Sequence, residues 1–340
     1  MSKKSLFRGL TIVSTFLLSA SIVSANVMEF YRDGMDQTFK TVSSKIVTEE
    51  SENAEDAWNY DSQFKSAKDA FEGYKEFGLR SSEETAVLLK NKDKALPLTE
   101  STPKVTMLGL RSYAAVYGNS GGSTPDKASI DSGNTITEAF QKSGFELNPK
   151  TLAAYKKYCE DLTWGGSGFG AIPPDYKEIT TTTNIPELSP TELRGLASDY
   201  DEDYASYGDA AIVVVGRPAG EGKNYNDGAK GLDDGLHTTT GNIMGLSDDE
   251  MAIINEAKKG KADGKFKKVI VLINATNVME FKNLSNDDSI DAIMWVGHPG
   301  VYGFYSVAKM LKGEVNPSAY LGDIYPTNNS DSPSMQNFGN

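Results

Sequence analysis

Ala210-Ala-Ile-Val-Val-Val215 and Lys268-Val-Ile-Val-Leu-Ile273 are near-continuously apolar, so a strand formed by either must be covered on both of its faces. Lys104-Val-Thr-Met-Leu-Gly-Leu110 and Asp291-Ala-Ile-Met-Trp-Val296 share that texture. Helical start signals lie between these runs. Asn148 precedes Pro149 as cap and first-turn residue of a helix to Leu162, and Ser189-Pro-Thr-Glu192 opens a helix to about Tyr200. Ser247-Asp-Asp-Glu250 reads as a capping box leading a helix to Lys259. Helices over Ile136 to Ser143 and Val301 to Leu311, and a short strand over Phe145 to Leu147, complete the alternation. The pattern predicts the α/β class, as a three-layer α/β/α sandwich around a mostly parallel sheet.

A chain of 340 residues, 39% hydrophobic with 32 glycines, suits one globular unit with polar attachments. The net charge of −13 repels polyphosphates, and no run of Lys and Arg marks a nucleic-acid groove, so nucleic acid is not an expected partner. Cys159 is the single cysteine and cannot form an intrachain disulfide; it reads as a helix position filled by a small hydrophobe. His237 and His298 lack metal-ligand spacing, and neither a metal nor a cofactor is expected.

Residues 1–28 carry Lys3, Lys4 and Arg8 ahead of an uncharged stretch, Gly9 to Met28, apolar around Ile12-Val13 and Phe16-Leu17-Leu18. Val23-Ser24-Ala25 offers a cleavage site, while the length also suits an uncleaved signal anchor that holds the protein to the membrane. Either reading sends the remainder outside the cytoplasm, as an extracellular protein or one fixed to the outer face of the membrane. Residues 29–81 form a polar, acidic spacer with one amphipathic helix, in which Phe64, Ala67, Ala70, Phe71, Tyr74 and Phe77 recur at helical spacing as a docking face. Glu84-Thr-Ala-Val-Leu-Leu-Lys-Asn91 is helical and then extended. Residues 327–340 are polar, turn-rich and without periodicity, as in a linker.

Each strand runs into a loop of small or polar residues, and in a parallel sheet such loops gather on one edge, where ligands bind. After the strand at Ala210 comes Gly216-Arg-Pro-Ala-Gly-Glu-Gly-Lys-Asn224, whose glycines let the backbone bend sharply around one carboxylate, Glu221. Glu221 is thus a candidate catalytic acid, the alternative being one more solvated loop acid. The loop fails as a phosphate cradle: five residues separate Gly216 from Gly222-Lys223, and Asn224 stands where Ser or Thr is required. Gly118 to Gly122 has no dinucleotide-binding spacing either.

Six motifs taken in order carry a more specific resemblance: Glu84 to Asn91 with Ala95-Leu-Pro-Leu98, the strand Lys104 to Leu110, Gly220-Glu-Gly222 after a valine strand, Trp295-Val-Gly-His-Pro-Gly300, Gly313-Glu-Val-Asn-Pro-Ser318, and Asp323-Ile-Tyr-Pro326. Over residues 82–326 the chain resembles the C-terminal α/β sandwich domain of glycoside hydrolase family 3, in the permuted arrangement where that domain precedes the catalytic barrel. The resemblance implies a β-glucosidase-like enzyme that acts on β-linked oligosaccharides or glucosides with retention of configuration. Glu221 falls on the position whose carboxyl protonates the leaving oxygen and then deprotonates water. Gly121, Gly122 and Ser123 would flank the sugar pocket, their other reading being a plain glycine turn. The family often carries an aspartate three residues after the acid, where this chain has Asn224.

A retaining glycosidase needs a second carboxylate about 5 Å from the first, and in this family it belongs to a (β/α)₈ barrel of about 250 residues. No such barrel is legible here. Ser198-Asp-Tyr200 imitates the nucleophile motif but ends a predicted helix rather than following a barrel strand, and Asp227, Asp233 and Asp234 read as loop acids. The expectation is therefore of an acid/base half-site, incomplete alone, with a separate or downstream barrel as its partner. The rival expectation is a non-catalytic carbohydrate-binding or scaffold module at the cell surface.

Overall fold

The computed structural model describes residues 3–31, 63–118, 127–159, 187–217 and 245–325, with 328, 331 and 333. The chain divides into two units, 1–63 and 64–340. In the first, helix α1 (Lys3–Phe30) is long and apolar enough to cross a membrane, with a 23-residue candidate span from Phe7 to Glu29 of mean hydropathy 1.7.

The second unit opens with helix α2 (Ala67–Thr85), capped by the Ser66 hydroxyl, which accepts from the Asp69 amide. Strands β1 (Val87–Asn91), β2 (Lys104–Leu108), β3 (Glu146–Leu147), β4 (Ala210–Arg217), β5 (Val269–Ala275) and β6 (Ala292–Trp295) form one sheet in the order β1-β6-β5-β4-β2-β3. Every pairing is parallel except that of β1 with β6, so the mostly parallel sheet carries one reversed edge. The reversed pairing slips register between Leu88 and Lys90, and the Lys90 ammonium reaches over the edge to the Asp287 carbonyl at 2.7 Å.

β4 shows why the sheet must be covered twice. Ile212 and Val214 join one core with Met107, Leu272 and Met294, whereas Ala211, Val213 and Val215 join the other with Leu108, Val271 and Ile273. The first core is closed by α2, α4 (Ile136–Lys142) and α9 (Gly303–Leu311), which supply Leu79, Phe140 and Phe304. The second is closed by α5 (Pro149–Cys159), α6 (Pro190–Leu196) and α7 (Asp248–Ala262), through Tyr155, Leu193 and Ile253. Burying a large aliphatic or aromatic side chain contributes about 1.5–3 kcal/mol, so these two interfaces dominate the stability of the unit. The short helices α3 (Lys127–Asp131) and α8 (Lys282–Ser285) complete the described α-helices.

The capping signals act as expected. Asn148 Oδ1 accepts from the amides of Lys150 and Thr151 at the start of α5, and full capping boxes open α4, α6 and α7. Several boundaries differ from expectation. α6 stops at Leu196 because Ala197 is extended, which leaves Ser198-Asp199-Tyr200 in a run of turns; the Asp199 side chain is half-exposed and sits 3.9 Å from Lys150. α2 runs to Thr85, beyond the aromatic repeat, and part of the expected face packs, with Tyr74 meeting the Tyr302 ring edge-on at 6.2 Å between centroids. Phe71, Tyr74 and Phe77 are 52–61% exposed, while Leu79 and Ser82 turn inward, with the Leu79 carbonyl accepting from Ser306 Oγ and the Ser82 hydroxyl donating to the Pro299 carbonyl. The packing against α9 continues past the aromatic repeat into the last turns of α2, where Lys309 also pairs with Glu83 at 2.9 Å.

Candidate active site

The connection after β2 leads outward to β3, and the one after β4 leads the other way to β5. The strand order therefore reverses between β2 and β4, and the crevice beyond their carboxyl ends is where an open parallel sheet accepts ligands. Two glycines permit the close packing there. Gly109, at φ +86°, leaves β2 where a Cβ would stand 2.5 Å from the Val214 carbonyl, and a Cβ on Gly216 would stand 2.7 Å from the Asn274 carbonyl.

Charged side chains are buried at this rim. Arg217 ends β4 and is 5% exposed; Glu250, in the first turn of α7, is 7% exposed. The guanidinium donates to both Glu250 oxygens, through Nη1 at 2.5 Å and Nη2 at 2.7 Å, and also to the carbonyls of Gly216 at 2.9 Å and Gly245 at 2.8 Å. Glu250 Oε2 meanwhile accepts from the Ser247 amide at 2.8 Å, so one carboxylate serves the capping box and the ion pair together. Burial pushes the Glu250 carboxyl upward, but the Arg217 charge and hydrogen bonds outweigh it and hold the group below the usual carboxylate range.

Arg111 and Glu187 lie beside this pair. Arg111 is buried in the 3₁₀ turn after β2 and donates to the Ala114 carbonyl at 3.2 Å; burial, then the neighbouring Arg217, brings its guanidinium down to about 10. Glu187 accepts from the amides of Leu110 at 2.5 Å and Leu188 at 3.0 Å, yet burial pushes its carboxyl up to about 8 against those bonds. Cys159 sits in the same surroundings, where burial raises its thiol to about 12 and removes it as a nucleophile.

Two further side chains tie the rim loops together. Asn274, fully buried at the end of β5, accepts from the Val116 amide at 2.7 Å and donates to the carbonyls of Val116 at 2.8 Å and Gly297 at 2.7 Å. His298 Nε2 lies 3.0 Å from the Arg217 carbonyl; because a carbonyl only accepts, that nitrogen carries the hydrogen. Burial lowers the imidazole to about 4, so the ring is neutral at ordinary pH. The turn after β6 is thereby bonded to the segment after β2 and to the end of β4, with the Gly300 amide adding a bond to the Tyr117 carbonyl at 2.8 Å.

Glu221, Gly121, Gly122 and Ser123 lie outside the described residues, as do Asp227, Asp233, Asp234 and His237. The residues that lead into their segments are Gly118, after β2, and Arg217, the last residue of the neighbouring strand β4. Among the described residues, no group of three or more His, Cys, Asp or Glu side chains gathers to hold a metal. Sequence reasoning gave Glu250 a capping role alone and did not single out Arg217, Arg111, Glu187 or Asn274. One signal was available: an arginine closing an otherwise apolar strand implies a buried partner, since a buried guanidinium is seldom left unpaired.

A sequence profile of the family described as "Glycosyl hydrolase family 3 C-terminal domain" matches residues 86–340. The chain is 28% identical over 268 residues to the β-glucosidase of Ruminococcus albus, covering 78% of this chain and 24% of that protein. It is 26% identical over 264 residues to β-glucosidase A of Butyrivibrio fibrisolvens, covering 75% of this chain and 29% of that protein. A solved β-glucosidase structure from Paenibacillus barengoltzii aligns with a TM-score of 0.58 at 26% identity, covering 79% of this chain and 26% of that one. β-Glucosidase 3B of Thermotoga neapolitana, solved in complex with α-D-glucose, aligns with a TM-score of 0.55 at 26% identity, covering 79% and 32%. The chain thus spans 24–29% of the length of these curated relatives.

Proposed function

Because the chain belongs to the glycosyl hydrolase family 3 C-terminal domain family, we propose that it supplies the acid/base half of a retaining, β-glucosidase-like site. The observation that carries this reading is topological: the reversal of strand order falls between β2 and β4, and in sequence Gly220-Glu221-Gly222 comes shortly after the end of β4. Glu221 protonates the leaving glycosidic oxygen and then takes a proton from the water that releases the sugar. Gly121, Gly122 and Ser123, after β2, flank the sugar on the adjoining side. The second carboxylate, about 5 Å from the first, comes from a barrel domain outside these residues, encoded downstream or separately. The substrate class is β-linked glucosides or oligosaccharides, a reading supported by relatives that are themselves β-glucosidases. The apolar helix from Phe7 to Glu29 supports a leader or anchor that delivers the domain outside the cytoplasm.

The test compares wild type with Glu221→Gln in hydrolysis of an aryl β-glucoside, each chain assayed alone and joined to a family 3 barrel. Turnover is expected only in the joined form, with kcat reduced on the order of 10²–10⁴-fold by Glu221→Gln. Equal rates for the two joined proteins would remove Glu221 from this role. Binding of glucose or cello-oligosaccharides without turnover in the joined form would make the chain a sugar-binding module instead.

A further inference from the structure

The first turns of α2 extend past the packing that its last turns make. Gly78 approaches the Tyr302 ring, where an added Cβ would stand 3.7 Å away, and Leu79 and Ser82 are bonded to α9 and to the turn before it. Ahead of Gly78, Phe71, Tyr74 and Phe77 are each more than half exposed. They are not scattered: Phe71 and Tyr74 lie 6.5 Å apart between ring centroids, and Tyr74 meets Tyr302 at 6.2 Å. Tyr302 follows the turn at 297–300, beyond the carboxyl end of β6, so this aromatic row adjoins the edge of the sheet that accepts ligands. From Phe71 to Phe77 it extends about 9 Å along the helix axis, room for more than one pyranose ring.

The residues between the rings select what can lie on them. Glu72, Lys75 and Glu76 alternate with the aromatics in sequence, Lys75 Nζ lies 5.8 Å from the Tyr302 ring centre, and the Arg80 guanidinium lies 5.9 Å from that of Phe77. The core of a protein–protein interface is depleted of such charges, and a helix that lies in a bilayer surface carries Lys and Arg beside its rings rather than Glu72 and Glu76. A β-linked glucan suits both parts of the pattern. Its C–H faces stack on the rings, its hydroxyls bond the intervening carboxylates and ammonium group, and it carries no charge for the net −13 of the chain to repel. α2 ends at Thr85 and the family match begins at residue 86, so the row belongs to this chain rather than to the matched domain.

We propose that Phe71, Tyr74 and Phe77 form a platform that binds a β-linked glucan chain beside the ligand edge. This rests on the reading of the substrate as β-linked glucosides or oligosaccharides, and adds to the acid/base half-site a surface that retains long substrates.

The experiment measures binding and needs no turnover. The full chain, held in zwitterionic nanodiscs, is titrated calorimetrically with cellohexaose. Tyr74→Ala should weaken binding about tenfold and Phe71→Ala and Phe77→Ala several-fold each, while Tyr74→Phe, which keeps the ring, stays within about twofold of the parent. Leu89→Ala, which trims an exposed apolar side chain on β1, should leave the affinity unchanged. Because the substituted side chains are exposed, the variants should fold, and equal melting temperatures verify it. No binding by the parent, or an affinity that survives removal of all three rings, overturns the proposal. Binding that appears only when lipid is removed would assign the rings to the bilayer, and loss of the Tyr74 dependence on joining a family 3 barrel would assign them to a domain contact; either result overturns it as well. Equal hydrolysis by the joined Glu221→Gln protein would remove the acid/base reading and leave the platform standing, so the two failures stay distinguishable.

Discussion

Arg217 and Glu250 meet through two parallel hydrogen bonds at the carboxyl end of β4, both side chains less than a tenth exposed. The pair links a strand end to a helix start, because Glu250 also accepts from the Ser247 amide. Removing one partner leaves the other charged and buried. Glu250→Gln and Arg217→Met are each expected to cost about 3–5 kcal/mol in denaturant unfolding, whereas loss of an exposed pair such as Lys259 with Asp263 costs less than about 1 kcal/mol. A cost below about 1 kcal/mol for Glu250→Gln would show that solvent reaches the pair.

The same carboxylate makes stability depend on acid. Its native pKa is depressed, so its contribution is complete above the ordinary value of 4.5 and disappears as pH falls through the lower native value. Wild type should lose stability between about pH 5 and pH 3 more steeply than Glu250→Gln, as read from urea midpoints across that range. Parallel curves would contradict the shift.

Glu187 has the opposite sign. Burial raises it from 4.5 to about 8, so its contribution is complete below 4.5 and is lost as pH rises toward 8, where the unfolded carboxyl is ionised and the native one resists ionisation. Glu187→Gln should therefore gain on wild type as pH rises from 5 to 8, by up to about 1.4 kcal/mol per pH unit of separation. Unfolding free energies of the two proteins at the ends of that range provide the check, and a constant difference would rule the effect out.

His298 adds a second acid-sensitive contribution. Its native pKa of about 4 lies below the ordinary 6.5, so its contribution is present above 6.5 and falls away as pH drops toward 4, when the unfolded imidazole takes up a proton that the buried ring refuses. His298→Gln should flatten the stability profile between those limits by up to about 3 kcal/mol. Nitrogen NMR of the imidazole gives an independent reading: the ring should hold its hydrogen on Nε2 throughout that interval.

Asn274→Ala removes an acceptor from the Val116 amide and donors from two buried carbonyls. Leaving such groups unsatisfied should cost about 2–4 kcal/mol, with faster amide exchange at Val116 and around Gly297 than in the centre of β5. Uniform exchange across the domain would show that the bonds do not act locally.

The layered fold was legible because strand burial leaves a direct mark: Ile-Val-Val-Val within β4 admits no face for water, and the Ser-x-x-Glu boxes at α6 and α7 mark their starts. The end of α6 was not legible, because nothing at Ala197 announces the extended backbone that stops it. The reversed direction of β1 was equally hidden, since Val-Leu-Leu reads alike in either orientation. For the candidate site, glycine content pointed to the rim loops, but the buried ion pair was missed because pairing between Arg217 and Glu250 spans 33 positions and leaves no periodic trace. Asn274 looked like an ordinary loop polar residue, and only its complete burial reveals that it binds segments distant in the chain.

The margins of the sheet carry a consequence for solubility. One is the two-residue strand β3, and the other is the reversed β1, bent by its register slip and guarded by Lys90. Short, kinked or lysine-bearing borders give an incoming strand little to zip onto. A variant of the domain that straightened β1 and replaced Lys90 with valine should therefore pair edge to edge more readily than wild type, read as fibril formation at equal concentration.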